Sequence, residues 1–294
     1  MRVPAGLDWW RGEPGGAAWL GALPSLVSAC AERWELTLAD PFEPARISLV
    51  VPATLRSGER AVLKLNFPEP ESEREPDALT HWQGNGAVRL LARDDERRAL
   101  LLERCGPGTQ LWATGDEDAA NLIAAGVLRL LRRQPSDPHP YRLLAVEAER
   151  WAEELPRRWR ALGRPFERAL LDEAVSACRE LGPGPTAASV LHQDLHGGNV
   201  LRADDGWLAI DPKPLVGDPA FDAASLLRDR RWLLTQPGAR SRVRRRLDLL
   251  TAELELDRER ARRWGIAHAL AWGVDEPGAD EAMVESARLL AAAS

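Results

Sequence analysis

The spacing of apolar residues along the chain changes several times. Over residues 1–34, Trp10, Trp19, Leu20, Leu23, Leu26, Val27 and Trp34 form short amphipathic stretches broken by Gly and Pro. This predicts one or two helices capping a first lobe. From Trp34 the pattern becomes strand-like: WELTLAD, ISLVVPATL, the turn RSGE, then RAVLKL. Ser57-Gly58 between two β-branched runs is a hairpin signal, so residues 35–66 read as three strands, the second and third paired. A Pro-rich stretch and a short helix over about residues 76–83 follow. VRLLARD, the charged turn DDER and RALLLER then form a second hairpin. The sum is an antiparallel sheet of about five strands with one helix between the third and fourth.

At Cys105-Gly106-Pro107-Gly108 the texture turns helical, with segments at 116–134, 141–161 and 165–181 carrying Leu, Ala, Val and Ile at helical intervals. Residues 104–110 read as a linker, which divides the chain into a sheet-rich part, 1–104, and a helical part, 105–294. Inside the second part lies an island of strands, SVLHQDLHGGNVLRADDGWLAID, whose NVLRA and WLAID flank an Asp-Asp-Gly turn. Asp218-Pro219 then opens a helix with Asp as its cap, and residues 241–293 are helical. The fold class is α+β.

Composition narrows the function. The 294 residues are 45% hydrophobic and 29% charged, enough apolar surface for real cores. A net charge of −6 disfavours general nucleic-acid binding and favours a cationic small partner. Three cysteines, Cys30, Cys105 and Cys178, are too scattered for a disulfide framework or a paired-cysteine zinc site. No apolar run reaches the ~18 residues of a membrane helix, and the N-terminus lacks the apolar core of a signal peptide. A cytoplasmic protein without membrane contact is expected. Lys and Arg total 39, yet the only lysines are Lys64 and Lys213. Where Arg serves almost everywhere, a retained Lys suggests a need for a compact ammonium.

The densest polar cluster is Leu191-His192-Gln193-Asp194-Leu195-His196-Gly197-Gly198-Asn199, with Asp211 at the end of the next strand. The hairpin brings Asn199 and Asp211 to one end of a ribbon. An amide oxygen and a carboxylate suit Mg²⁺, a hard ion that also keeps phosphate or water ligands. Asp194, five residues before Asn199, matches the kinase loop H-R-D-x-x-x-x-N with Gln193 in place of Arg. Such a loop also requires a lysine on an earlier strand. Lys64 in Ala61-Val62-Leu63-Lys64 fits, and Glu75, eleven residues on, is its expected partner.

The run VLHQDLHGGNVLRADDGWLAIDPKPLVGDPAFDAASLLRD closely resembles the aminoglycoside phosphotransferase family, in its streptomycin 6-kinase and hydroxyurea kinase branch, and GNGAVRLLARDDERRALLLER resembles that branch too. The resemblance implies a protein-kinase-like two-lobe fold using ATP and Mg²⁺. It implies that Asp194 orients and deprotonates the acceptor hydroxyl, that Asn199 and Asp211 hold Mg²⁺, and that Lys64, held by Glu75, contacts the α- and β-phosphates. Backbone groups of Glu103 and Cys105 would take the adenine edge. The implied reaction moves the γ-phosphoryl of ATP to a hydroxyl of a streptomycin-like aminoglycoside, with hydroxyurea or an amino sugar as alternatives, in a monomer.

Two departures stand out. Glu75 precedes Pro76 and should therefore sit just before its helix, which leaves Glu73 or Glu71 as alternative partners. Residues 38–48, which should cover the phosphates, contain no glycine; either Ser48 or Arg46 substitutes, or nucleotide grip is weaker. On the acceptor side, His196 reads as a loop organiser or a substrate contact, and His192 as structural. Asp222 is a support for the loop or a substrate contact. Trp272, followed by Asp275 and Glu276, is a candidate wall for a cationic sugar. Two rival classes remain: a metallohydrolase built on His192-x-Asp194-x-His196, and a non-catalytic kinase-like binding module.

Overall fold

A computed structural model describes residues 2–185, 187–275 and 278–293. The chain divides into two compact units, Met1–Gly108 and Thr109–Ser294.

The first unit opens with a 3₁₀ helix, Ala5–Gly12, and α1, Gly16–Arg33. The strands are β1, Thr37–Leu38; β2, Leu49–Thr54; β3, Arg60–Leu65; β4, Leu90–Asp94; and β5, Ala99–Glu103, with α2, Glu75–Trp82, between β3 and β4. They form one antiparallel sheet in the order β1-β2-β3-β5-β4. Strand geometry sends successive side chains to opposite faces. Leu63 and Leu65 therefore join Leu49 and Val51 against Leu7, Trp10, Trp19, Leu20, Leu23 and Val27 of the N-terminal helices. Trp10 stacks on Phe67 with ring centroids 3.9 Å apart. Lys64, between those leucines, points to the other face, and α2 meets it there through Glu75.

The second unit is mainly helical: α3, Glu117–Leu131; α4, Leu144–Ala161; α5, Arg168–Leu181; α6, Ala223–Leu227; α7, Ala239–Glu253; α8, Arg258–Gly273; and α9, Glu281–Ala291. Asp116 caps α3, its carboxylate accepting from the amides of Asp118 and Ala119. α8 is largely buried, packs against α5, α6 and α9, and pairs its buried Arg262 with Glu173 and Glu259. The strands are β6, Arg142–Leu143; β7, Ser189–Leu191; β8, Val200–Ala203; β9, Gly206–Ala209; β10, Leu215–Gly217; β11, Val274–Asp275; and β12, Gly278–Ala279. β8 and β9 form the expected hairpin, with Val200 opposite Ala209.

Three features differ from the sequence reading. A three-stranded sheet, β6-β10-β7, links the start of α4 to the segment before the catalytic-type loop. Arg142 and Leu143 are therefore strand, and α4 starts three residues later than the helical spacing suggests. Asp218 caps a 3₁₀ turn, Pro219–Asp222, rather than a full α-helix. The C-terminal stretch is three helices, the last two separated by the small β11–β12 hairpin. Among the described residues, no helix is long and apolar enough to cross a membrane.

Candidate active site

In the first unit the cationic group is Lys64. Its Nζ lies 2.6 Å and 2.7 Å from the two carboxylate oxygens of Glu75, and both residues are buried. Glu75 is the first residue of α2, not a residue before it. Pro76 is tolerated because a helix's first turn has no use for its N–H, and an acidic residue at that end is favoured by the helix dipole. Asn66 Nδ2 donates to the same Glu75 carboxylate at 2.7 Å, and Ser48 Oγ donates to Asn66 Oδ1 at 2.6 Å. Ser48 was expected over the phosphates. It is instead buried, its hydroxyl proton committed to the network that holds Glu75. Arg46 is exposed. The glycine-free segment is fastened from behind, with Trp10 Nε1 donating to the Ile47 carbonyl at 2.9 Å. Glu103 ends β5, its amide donating to the Arg89 carbonyl at 3.0 Å and its carboxylate accepting from Arg89. The Glu103 N–H is thus occupied by the Arg89 carbonyl, which leaves the Glu103 carbonyl as the backbone group of that residue in question for an adenine edge. Cys105 is half-buried, two residues past the strand.

In the second unit the loop between β7 and β8 holds Asp194. Asp194 Oδ1 accepts from Arg228 Nη2 at 2.9 Å. Asn199 Nδ2 donates to the Asp194 carbonyl at 3.0 Å, which closes the loop and leaves the Asn199 amide oxygen as its open end. Ile210 N donates to the Asn199 carbonyl at 3.0 Å, so Asn199 and Asp211 emerge side by side from the β8–β9 hairpin. Asp211 sits at φ 58°, a left-handed turn that redirects the chain at that point. One amide oxygen and one carboxylate are the donor types Mg²⁺ takes from protein when phosphates complete its shell, so the residues present fit that ion.

A single stretch, residues 222–229, fastens this loop at four points. The Asp222 carboxylate accepts from the amides of His192 (2.9 Å) and Gln193 (2.8 Å). Ser225 Oγ donates to the Gln193 carbonyl at 2.5 Å. Arg228 holds Asp194. Asp229 Oδ2 accepts from the Gly197 amide at 3.0 Å, while its Oδ1 accepts from Trp112 Nε1 at 2.7 Å. Gln193 has φ 67°, a conformation that costs a non-glycine residue about 1 kcal/mol or more and is maintained by these bonds. Asp222 is therefore an internal brace with both oxygens occupied, not a substrate contact. Burial pushes its carboxyl up to about 6, against the lowering effect of the two amides.

Trp112 explains the two glycines. A Cβ on Gly197 would lie 2.5 Å from the Trp112 ring, and one on Gly198 2.8 Å from it. His196 stacks on the same ring at 5.0 Å and 8°, and its Nδ1 accepts from the Gly198 amide at 3.0 Å. It acts as a loop organiser, neutral because burial lowers its pKa. Trp112, Ser225, Arg228 and Asp229 escaped the sequence reading. A signal existed for part of this set: Asp222, Ser225 and Asp229 fall at i, i+3 and i+7, a polar stripe on an otherwise apolar helix.

Trp272 is half-buried, and its ring already faces protein cations. Lys213 Nζ lies 4.8 Å and Arg228 Cζ 5.2 Å from its centroid, with His268 at 4.7 Å. Trp272, expected as a substrate wall, thus already has protein groups against its ring. Asp275 is exposed in β11, 3.7 Å from Arg158. Glu276 lies outside the described residues.

His192 is fully buried, its Nε2 3.0 Å from the Ile210 carbonyl and its Nδ1 accepting from the Asp194 amide at 3.3 Å. With both ring nitrogens occupied it is not a metal ligand. Among the described residues no group of three or more His, Cys, Asp and Glu is placed to hold a metal ion, and the metallohydrolase reading falls. Burial pushes the His192 pKa down to about 4. Because the unfolded chain protonates near ~6.5, the stability contributed by neutral His192 is complete above that pH. It is lost as pH falls toward 4, about 3 kcal/mol in all. Asp222, raised to about 6, acts in the opposite sense between about pH 6 and 4. The difference between wild type and His192→Asn therefore isolates the histidine. Urea unfolding of both at pH 7, 5.5 and 4.5 should show the wild type losing stability relative to the variant as pH falls; parallel curves would contradict this.

The sequence matches, over residues 33–276, the model of a family described as aminoglycoside/hydroxyurea antibiotic resistance kinase. It is 42% identical over 283 residues to a streptomycin 6-kinase of Streptomyces glaucescens, covering 94% of this chain and 91% of that protein. It is 37% identical over 286 residues to a hydroxyurea phosphotransferase of Kitasatospora aureofaciens, covering 94% and 81%. A solved structure of a thermostable aminoglycoside phosphotransferase mutant, in ternary complex with ADP and hygromycin B, aligns with a TM-score of 0.62 at 14% identity over 90% of this chain and 97% of that one. At that identity the likeness concerns the fold, which is protein-kinase-like.

Proposed function

The chain belongs to the aminoglycoside/hydroxyurea antibiotic resistance kinase family, and from that premise we propose that it transfers the γ-phosphoryl group of ATP to a hydroxyl of a streptomycin-like aminoglycoside. The observation that carries this reading is the Asp194 carboxylate, held by Arg228 through one oxygen, in the loop that also presents Asn199 beside Asp211. Phosphoryl transfer needs in-line positioning and neutralisation of spread negative charge more than covalent help. Asp194 orients the acceptor hydroxyl and takes its proton. Lys64, held by Glu75, bears on the α- and β-phosphates. Asn199 and Asp211 hold Mg²⁺, which when bound neutralises phosphate charge. The backbone around Cys105 takes the adenine edge.

Acceptor recognition follows charge. The protein carries −6 overall, which favours a cationic partner, but Lys213 and Arg228 make the Trp272 side of Asp194 unfavourable for an acceptor's own cations. On the His196 side, Trp112 meets Trp232 edge-on at 5.4 Å, and Trp232 is 51% exposed. That ring offers a surface for a sugar face or a guanidinium group.

The test is an acceptor screen with Mg-ATP covering streptomycin, other aminoglycosides, hydroxyurea and glucosamine, read as ADP release and acceptor mass gain. Streptomycin should exceed hydroxyurea in kcat/KM by about 100-fold or more, because a site built for a large polar acceptor leaves groups unpaired against a small one. Preference for hydroxyurea would reassign the acceptor; phosphorylation of none of them would overturn the proposal.

A further inference from the structure

Asp194 has two carboxylate oxygens and two rotatable side-chain bonds, and a group that orients a hydroxyl must present one oxygen in a defined direction. Its loop offers a competing partner: His196 Nε2 lies 4.0 Å from Asp194 Oδ1. With His196 Nδ1 accepting from Gly198, Nε2 carries the ring's proton and could draw the carboxylate sideways. Arg228 prevents this. Its Nη2 donates to Oδ1 at 2.9 Å, and its Nε donates to His268 Nδ1 at 3.3 Å. Its guanidinium plane lies over Trp272, and the residue is only 6% exposed. His268 is completely buried and is held neutral by burial and by Arg228 itself. The fork is thus fixed at three sides, and among the described residues Asp194 Oδ2 accepts no hydrogen bond. A buried guanidinium is an expensive way to end a five-residue helix. An apolar residue would pack there at less cost but would leave the Asp194 carboxylate undirected.

We propose that Arg228 is a positioning residue for the transfer step, locking Asp194 Oδ1 so that Oδ2 faces the acceptor hydroxyl. This rests on the kinase reading of Asp194. In the step, the acceptor oxygen forms a bond to the γ-phosphorus. The bond from that phosphorus to the β,γ-bridging oxygen breaks, its electron pair leaving with ADP, and the acceptor proton passes to Asp194 Oδ2. Arg228 is unchanged throughout and touches neither substrate.

The experiment compares wild type, Arg228→Lys, Arg228→Met and Arg228→Ala with Mg-ATP and streptomycin. Absence of wild-type turnover would refute the streptomycin-kinase reading on which the proposal rests; an active wild type lets the variants test Arg228 separately. Arg228→Met should lower kcat about 10- to 100-fold with both KM values within about twofold, since misplacing a reacting group acts on the chemical step. Arg228→Lys, retaining the charge without the fork, should fall between. Guanidinium added at about 10 mM should restore part of kcat to Arg228→Ala and none to Asp194→Asn, because only the former leaves a vacancy of that shape. A purely structural residue would give lower melting temperatures without rescue. Wild-type kcat in Arg228→Met, or equal losses in Lys and Met variants with no guanidinium rescue, would overturn the proposal. Should Arg228→Met fail to fold, Arg228→Lys and the rescue carry the test.

Discussion

Asp194→Asn is expected to lower kcat with Mg-ATP and streptomycin by about 10²- to 10⁴-fold, the usual contribution of a positioned general base. The asparagine is the informative choice. Its amide oxygen can still accept from Arg228 Nη2, as Asp194 Oδ1 does at 2.9 Å. The loop bonds from Asn199 to the residue 194 carbonyl and from residues 222–229 involve backbone or other side chains and survive. What changes is the outer position, which becomes an N–H donor facing a hydroxyl that needs an acceptor. Nucleotide affinity and far-ultraviolet circular dichroism should be close to wild type. Retention of more than about a tenth of wild-type kcat would remove Asp194 from the chemistry.

The second large effect is on stability. Glu75→Gln should destabilise the protein by about 3–5 kcal/mol, because removing one partner of a buried ion pair leaves the other charge uncompensated. The pair sits deep in the first unit, with side-chain exposures of 4% for Lys64 and 1% for Glu75. Glutamine keeps the volume and still accepts from Asn66 Nδ2, so the loss reports charge and not a cavity. Urea unfolding at neutral pH without nucleotide is the measurement. A loss below about 1 kcal/mol, the level of an exposed pair, would mean that Glu75 does not determine the state of Lys64. The same substitution frees the head of Lys64 to move, so kcat/KM for ATP should fall with stability.

Much of the fold is legible in local pattern. The five strands of the first sheet each carry alternation or a short apolar run with turn residues between, and Glu75 was the expected partner of Lys64, though only the structure decides between it and Glu73 or Glu71. The catalytic-type loop is legible because its chemistry lies within one short span of chain. Of the β6-β10-β7 sheet only β7 was legible, inside the SVL strand island; β6 and β10, two and three residues long, have no period to detect. Ser48 was misread because the partner that takes its proton, Asn66, lies 18 residues away, just past the end of β3. The neighbours of Trp272 were not legible for the same reason at longer range: Lys213 and Arg228 reach it only through the tertiary fold. Asp222 reads from sequence as either a loop support or a substrate contact, and its two backbone amide partners decide for the first.

The four fastenings between residues 222–229 and the loop have a consequence for how the enzyme can fail. The geometry at Asp194 and the integrity of α6 form one cooperative unit, in which opening either end releases the other. Damage to catalysis need not come from the loop at all. Loosening the apolar face of α6 where it rests on α8 would reach Asp194 through intact chemistry, leaving an enzyme with every reactive group present and none of them aimed.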